Sequence, residues 1–312
     1  MSTTTTTPQR ELGTGRTTGT RRTLEKGPSG WLAVPALAFF MLFAILPLLG
    51  VLFLSFTRWD GLGEIKLDGL SSWNTVLADP VTGNALLVTA KIMFFSFIVQ
   101  APISLLLGVF TAASQKYRAA LAVLYFVPLL LSSAAVAIAF KALLDPNFGL
   151  GPGLGLPILA QDWLGNSDLV LFVVVFVIAW QFVPFHTLIY QGGVRQIPAS
   201  LYEAAQIDGA GRVQQFFNIT LPQLKYTMIT SSTLMVVGSL AYFDLIFVLT
   251  AGGPGYSTRL LPLHMYLTGF KANDMGAASA LGVILVVIGL ALALFLQRLG
   301  GKNRNASQLE GA

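Results

Sequence analysis

Long stretches without a charged side chain alternate with polar connections along this chain. The first stretch runs from Trp31 to Thr57 and holds 27 residues. Each residue of an α-helix adds about 1.5 Å, so about 20 apolar residues cross a hydrocarbon core of about 30 Å. Six stretches reach this length, and the fifth contains a single acid, Asp244. The predicted spans are about 31–57, 86–113, 119–142, 169–193, 227–251 and 275–297. The pattern predicts an all-α integral membrane protein with six transmembrane helices.

The composition supports this fold class and narrows the chemistry. The 312 residues include 19 Lys and Arg and 14 Asp and Glu, together 11% of the chain, against about 25% in a soluble domain. The mean hydropathy is +0.70, which excludes a soluble enzyme because too few polar groups could cover its surface. The chain has no cysteine, and its histidines are His186 and His264. Disulfides and thiolate metal sites are therefore excluded, and we expect neither a metal nor a cofactor.

The distribution of Lys and Arg predicts the orientation of the spans. If the N-terminus is cytoplasmic, thirteen of these residues lie in inside segments and five in outside segments, as the positive-inside rule requires. Both termini are then expected to be cytoplasmic, in the plasma membrane of the cell. Residues 1–28 read as a disordered, basic, Thr-rich tail, residues 29–300 as the six-span domain, and residues 301–312 as a short cytoplasmic tail.

The connection between the fourth and fifth spans, residues 195–226, reads as a structured cytoplasmic loop. Pro198 suits the first position of a helix, and Gly209 can take the left-handed conformation that ends one. The small residues Ala204, Ala205, Gly209 and Ala210 lie beside the acids Glu203 and Asp208. Such a helix is suited to close packing against another protein, although an interfacial helix that only orders the loop would also fit this chemistry.

The same loop carries a motif of ten specified positions within twenty residues. They are Glu203, Ala204, Ala205, Asp208, Gly209, Ala210, Phe216, Ile219, Leu221 and Pro222. This pattern resembles the EAA loop of permease subunits in binding-protein-dependent ABC importers. The segment from Leu249 to Thr258, with Phe243–Leu245 before it, resembles the region after the fifth span in sugar permeases of the maltose and glycerol-phosphate kind. Of the two partner permeases in such importers, the chain resembles the one related to the larger maltose permease. The extra N-terminal spans and the large outer domain that such members can carry are missing here, so the chain resembles the compact six-span form.

The resemblance implies the type I permease fold of ABC importers and a set of partners. These are a second homologous permease, two cytoplasmic ATPase subunits and an extracytoplasmic solute-binding protein. It also implies that the motif residues Glu203, Ala204, Ala205, Asp208, Gly209 and Ala210 couple the chain to an ATPase, and that a carbohydrate or a related solute moves inward by alternating access. We expect a side chain at Gly209 to block both the backbone turn and the approach of a partner. The Walker pattern is absent from the sequence, so the chain is not expected to be an enzyme.

Polar residues within spans are candidates for the solute path, since they are costly in lipid. Asp244, with Tyr242 and Phe243 beside it, fits a carbohydrate site of stacking rings and an accepting carboxylate, and Gln181 is a further candidate. Pairing of Asp244 with another helix fits equally well. A self-sufficient secondary transporter or channel is the alternative function, and it would need an internal repeat or broken helices.

Overall fold

The computed structural model describes residues 30–113 and 116–299. The tails predicted for residues 1–28 and 301–312 lie outside these ranges. The chain divides between Pro47 and Leu48 into two compact units. The described part of the first unit is helical and continues into the second, so that Trp31–Leu54 is one helical run of 24 residues.

The described residues form almost only helices. Following α1 (Val34–Phe40) and α2 (Leu46–Leu54), the chain forms a short hairpin of β1 (Thr57–Arg58) and β2 (Lys66–Leu67). The remaining helices are α3 (Ser71–Ala78), α4 (Pro80–Thr111), α5 (Lys116–Leu130), α6 (Ser133–Leu143), α7 (Leu150–Leu154), α8 (Val170–Arg195), α9 (Ala199–Ile207), α10 (Arg212–Gln215), α11 (Leu221–Gln223), α12 (Lys225–Ser239), α13 (Phe243–Leu249), α14 (Leu261–Tyr266) and α15 (Met275–Leu299). Single π-helical turns occupy Met41–Ile45, Phe216–Thr220 and Leu267–Lys271.

Two of the six expected spans are not continuous helices. The described residues contain four straight helices that are long and apolar enough to cross a membrane, namely Trp31–Leu54, α4, α8 and α15. The third span breaks between α5 and α6, which meet at 99°, and the fifth breaks between α12 and α13, which meet at 48°. The apolar composition of both segments did not predict these breaks, because composition indicates that a segment lies in lipid but not where its backbone bends. The second span also begins earlier than predicted, because Asp79 caps α4 by accepting a hydrogen bond from Val81 N.

The main core surrounds α8. Its buried side chains include Val174 and Ile178, which pack with Ile92 of α4 and with Leu245 and Ile246 of α13. The C-terminal half of α8 approaches α4 closely because α4 has a glycine there. A Cβ atom added at Gly108 would lie 2.5 Å from Tyr190 Cβ and 3.1 Å from Gln191 N. Small residues at such contacts are typical of helix packing in membranes.

The buried face of α4 is unusually polar. Ser96, Gln100, Ser104 and Gly108 follow each other at intervals of four residues and are all buried. Ser104 Oγ donates to Val183 O of α8 at 3.3 Å. Both amide atoms of Gln100 lack a hydrogen-bond partner among the described residues. The helix thus turns polar and small side chains toward its neighbours, as expected where the surrounding solvent is lipid.

Candidate functional site

The loop between α8 and α12 begins with a well-terminated helix. Pro198 precedes α9, and the chain leaves the helix through Gly209 in the left-handed conformation, with φ +78°. Ala210 N donates to Ala205 O at 2.8 Å, and Gly209 N donates to Gln206 O at 3.1 Å. This pair of bonds is a Schellman motif, which satisfies the last carbonyl groups of the helix. The helix and its glycine end were both predicted from the sequence.

Side-chain hydrogen bonds hold the two halves of the loop together. The hydroxyl oxygens of Tyr202 and Thr220 lie 2.9 Å apart and join α9 to the π-helical turn before α11. Gln215 Nε2 donates to Ala210 O at 2.8 Å, directly after the helix end. Gln214 Oε1 accepts from Gly211 N at 3.0 Å at the start of α10. The loop is therefore one folded unit, as predicted.

The surface of this unit combines acids with unpartnered apolar side chains. Glu203, Ala204, Asp208 and Gly209 are exposed, whereas Ala205 and Ala210 are half-buried. Three apolar side chains of the loop are also largely exposed, namely Ile207 (86%), Val213 (70%) and Phe217 (58%). We refer to Ile207, Val213 and Phe217 as the apolar patch. Several large apolar side chains exposed on one short folded loop are typical of a surface that contacts another protein.

Gly209 itself has free space around it. A Cβ atom there would meet nothing within 4 Å among the described residues of this chain. Within the chain, a substitution is therefore opposed only by the positive φ, at about 1–2 kcal/mol. Any steric obstacle to a side chain at this position must come from another molecule, so the expected block to close approach is still a prediction.

The three consecutive solute-path candidates lie at the break in the fifth span. Tyr242 connects α12 to α13 and is buried, with its ring 5.2 Å from that of Phe182. Phe243 begins α13, and its ring stacks on Phe247 at 5.4 Å and an interplanar angle of 12°. A broken helix exposes backbone groups as well as side chains at the break. Carriers bind their solutes at such breaks within the membrane.

Asp244 points away from this chain. Its side chain is exposed, and among the described residues no Lys, Arg or His nitrogen lies within 4 Å of its carboxylate. The alternative in which Asp244 pairs with a basic residue of another helix is thus not found within the described part of this chain. An unpaired carboxylate in a span requires water, solute or another subunit as its neighbour.

Gln181 lies at the other broken span. Its Nε2 donates to Leu131 O at 3.3 Å and lies 3.2 Å from Ser133 Oγ, on either side of the break between α5 and α6. Its Oε1 is buried without a partner among the described residues. The amide therefore stabilises a carbonyl that the broken helix leaves free, and its hydrogen bonds do not join it to the three candidates of the fifth span. His186, on the same helix, is buried with Nδ1 3.1 Å from Ser231 Oγ.

One polar cluster near the predicted outer side was missed. His264 Nε2 lies 3.4 Å from Asp79 Oδ2 and 3.2 Å from Thr82 Oγ1, so it links α14 to the start of α4. Burial lowers the pKa of His264, the Asp79 carboxylate opposes this effect, and the Arg259 charge adds to the lowering. The sequence signal was the Asp79-Pro80 pair, which is typical of a helix start; nothing in it pointed to a histidine 185 positions further on.

The family follows from comparison of the whole sequence. A family model described as the inner membrane component of binding-protein-dependent transport systems matches residues 104–305. The chain belongs to this family. It is the permease subunit of an ABC importer, a multi-pass inner membrane protein and not the catalytic subunit. Two spans are broken, as a secondary carrier would also require, so the helices alone do not exclude that alternative. Membership of the family excludes it.

Individual relatives agree with the family. The chain is 32% identical over 84% of its length to the "Probable ABC transporter permease protein YurN" of Bacillus subtilis, of which 91% is covered. It is 30% identical over 88% of its length to the trehalose/maltose transport system permease protein MalF of Thermococcus litoralis, of which 95% is covered. The resemblance to permeases of the maltose type is thereby confirmed.

A solved structure confirms the fold. In the crystal structure of a bacterial alginate ABC transporter in complex with an alginate pentasaccharide-bound periplasmic protein, one chain matches 87% of this chain with a TM-score of 0.75. The match covers 93% of that chain at 21% identity. The all-helical permease fold of ABC importers, predicted from the sequence, is therefore the fold of this protein.

Proposed function

We propose that this permease moves a carbohydrate, as one half of a heterodimer with a second homologous permease. Two cytoplasmic ATPase subunits drive it, and an extracytoplasmic binding protein delivers the solute. The substrate class is supported by the trehalose/maltose permease and the alginate transporter that the chain resembles. The excess of Lys and Arg in the connections on one side supports a cytoplasmic location for both termini.

We propose that energy from ATP reaches this chain through the loop of residues 195–226, which we call the coupling loop. Its residues Glu203, Ala204, Ala205, Asp208, Gly209 and Ala210 form a rigid, capped helix end beside the apolar patch. We assign these residues to contact with an ATPase subunit. The observation that carries this assignment is that Ile207 and Val213 stay exposed although the loop is otherwise folded and hydrogen-bonded. Two large apolar side chains that no described residue of the chain covers fit a surface that a partner subunit buries.

The solute path is assigned to the break in the fifth span. Tyr242 and Phe243 supply aromatic rings, and the exposed carboxylate of Asp244 can accept hydrogen bonds from hydroxyl groups. Aromatic faces and carboxylates are the groups that recognise the apolar faces and the hydroxyls of sugars. Gln181 contributes to the path by holding the break between α5 and α6.

The test of the coupling loop is Gly209→Asp in the complete transporter. Asp tolerates the left-handed conformation better than most residues, so the loop should still fold and the protein should still insert. ATP-driven solute uptake by proteoliposomes should fall to background because the new side chain occupies the contact. Gly155→Asp is the matched control, since Gly155 has φ +65°, also ends a short helix, and would also place a Cβ atom with nothing within 4 Å.

The outcomes separate the alternatives. Loss of uptake with Gly209→Asp and normal uptake with Gly155→Asp supports the assignment. Wild-type uptake by Gly209→Asp would contradict it. For the solute path, Asp244→Asn should reduce uptake of labelled sugars by at least about tenfold, the effect of losing about 1.4 kcal/mol of binding, while ATP hydrolysis by the complex persists. Uptake driven by an ion gradient without ATP would contradict the importer mechanism as a whole.

A further inference from the structure

A small cavity lies between the coupling loop and the predicted inner ends of two spans. It has a volume of about 300 Å³, room for about ten water molecules. Ala112, which follows the last residue of α4, and Val194 near the end of α8 form its apolar wall together with Phe216. Two cations also line it, Arg195 from the last turn of α8 and Arg212 from the first turn of α10. We call it the basic cavity.

The charges in the basic cavity are uncompensated. Among the described residues, no Asp or Glu oxygen lies within 4 Å of Arg195 or Arg212. The acids of the loop, Glu203 and Asp208, do not line the cavity. Both arginines are exposed, so their guanidinium groups are open to an anion that enters the cavity.

The other polar groups of the cavity are already paired. The Tyr202 hydroxyl bonds with Thr220 at 2.9 Å, and Gln215 Nε2 donates to Ala210 O at 2.8 Å. Apart from one N–H and the Oε1 of the Gln215 amide, the side-chain groups left for a ligand among the described residues are the two guanidinium groups, which donate and cannot accept. This donor set suits phosphate oxygens, which guanidinium groups can bind in a bidentate manner.

The position of the cavity indicates where the phosphate comes from. One wall is built from the ends of α4 and α8, so it lies where the hydrocarbon core meets the headgroups. Ala112 and Val194, at the ends of α4 and α8, form an apolar part of the cavity lining together with Phe216 of the loop. A free ion would need only the arginines, whereas a lipid uses both the charges and the wall. Basic pockets between spans on the cytoplasmic side are suited to anionic headgroups.

We propose that the basic cavity binds the phosphate of an anionic phospholipid of the inner leaflet, through Arg195 and Arg212. The bound headgroup joins the end of α8 to α10 and so ties the coupling loop to the membrane surface. This proposal rests on the cytoplasmic location of the loop, which is part of the proposed function. It concerns a site separate from the apolar patch, because Ile207, Val213 and Phe217 do not line the cavity.

The experiment uses the complete transporter, purified with its partner subunits, in nanodiscs of phosphatidylcholine with or without phosphatidylglycerol. Native mass spectrometry counts the phosphatidylglycerol that stays bound, and a titration with a short-chain phosphatidylglycerol gives its affinity. A basic residue near an anionic lipid contributes about fivefold in affinity, so Arg195→Gln with Arg212→Gln should weaken binding about 30-fold. Arg298→Gln is the control, because Arg298 lies in the last turn of α15 and does not line the cavity.

A second arm separates the lipid from a free anion. Inorganic phosphate is titrated in discs of phosphatidylcholine alone, and the thermal midpoint of the complex is followed. Loss of phosphatidylglycerol binding in the double variant but not in Arg298→Gln supports the lipid site. The alternative result is that inorganic phosphate raises the thermal midpoint saturably, only when both arginines are present and with no effect of the lipid. That result would assign the site to a free phosphate ion and would contradict the lipid proposal.

Two results would overturn the proposal. The first is equal lipid and phosphate binding by wild type and the double variant. The second is loss of the ATPase subunit from the double variant with lipid binding unchanged, which would assign the arginines to a protein contact. Recovery of the ATPase with the wild-type chain checks the importer assembly in the same preparation, so failure of the lipid site is distinguished from failure of the proposed function.

Discussion

The close contact between α4 and α8 makes Gly108→Ala a sharp test of the fold. The added Cβ would lie 2.5 Å from Tyr190 Cβ and 3.1 Å from both Gln191 N and Thr187 O. Carbon atoms pack at about 3.5–4.0 Å, so the two helices must separate by about 1 Å. Two of the three obstacles are backbone atoms of α8, so a change of side-chain rotamer cannot relieve the overlap.

The expected magnitude combines overpacking with lost hydrogen bonds. Inserting a methyl group into a packed contact costs about 1–3 kcal/mol. Separation also lengthens the bond from Gln191 Nε2 to Thr111 O, now 2.8 Å, and the bond from Ser104 Oγ to Val183 O, now 3.3 Å. Interhelical bonds in membranes contribute about 0.6 kcal/mol each. The higher helix propensity of alanine returns up to about 1 kcal/mol, so we expect a net loss of about 1–3 kcal/mol in the free energy of unfolding.

The assay is equilibrium unfolding in mixed detergent micelles, with helicity as the signal. Gly192→Ala is the matched control, since Gly192 lies on α8 and a Cβ there would meet no atom of the described residues within 4 Å. That substitution should be neutral or should stabilise the helix by up to about 1 kcal/mol. If Gly108→Ala unfolds like the wild type, or if both variants lose the same stability, the described contact between α4 and α8 is wrong.

Three further predictions concern the loop, the bent span and the outer cluster. Tyr202→Phe should cut ATP-driven uptake severalfold, with normal insertion, because α9 loses its bond to Thr220; unchanged uptake would show that the bond is dispensable. Gln181→Leu should destabilise the protein by about 1–3 kcal/mol in the same unfolding assay, because Leu131 O is left without its donor. Since burial lowers the pKa of His264, the unfolded state binds its proton more readily. The contribution of His264 to stability is therefore complete above about pH 6.5 and is lost as the pH falls below that value. Between about pH 7.5 and 5, the thermal midpoint should fall more in the wild type than in His264→Gln. Equal falls in the two proteins would refute this assignment.

The sequence predicted those features that depend on local chemistry. The charge-free stretches identified the membrane helices, because charged side chains are unfavourable in lipid and the backbone there must form its hydrogen bonds within a helix. Pro198 and Gly209 identified the limits of α9 because each acts through its own backbone. The motif around Glu203 identified the family, which the match over residues 104–305 confirmed.

Features that depend on distant parts of the chain were not predictable. The breaks at 131–132 and 240–242 lie within apolar segments, and their stabilising partners come from elsewhere, as Gln181 does for Leu131. His264 and Asp79 are brought together only by the packing of α14 on α4. Arg195 and Arg212 were counted as two positive charges on one side of the membrane, whereas the structure places them around one cavity.

Asp244 and the apolar patch lead to a common conclusion about how this subunit works. The carboxylate lies in a predicted span but is exposed on the surface of the chain, with no basic partner among the described residues. In lipid alone this arrangement would be strongly unfavourable, so the surface that carries Asp244 must face water, solute or another subunit. Likewise, Ile207 is 86% exposed on a loop whose two halves are joined by hydrogen bonds. Neither surface is covered by the described residues of this chain, so each is open to water, solute or another subunit. α13 also belongs to the core around α8, and α8 ends where the loop that carries Ile207 begins, so packed helices connect that loop with the break beside Asp244.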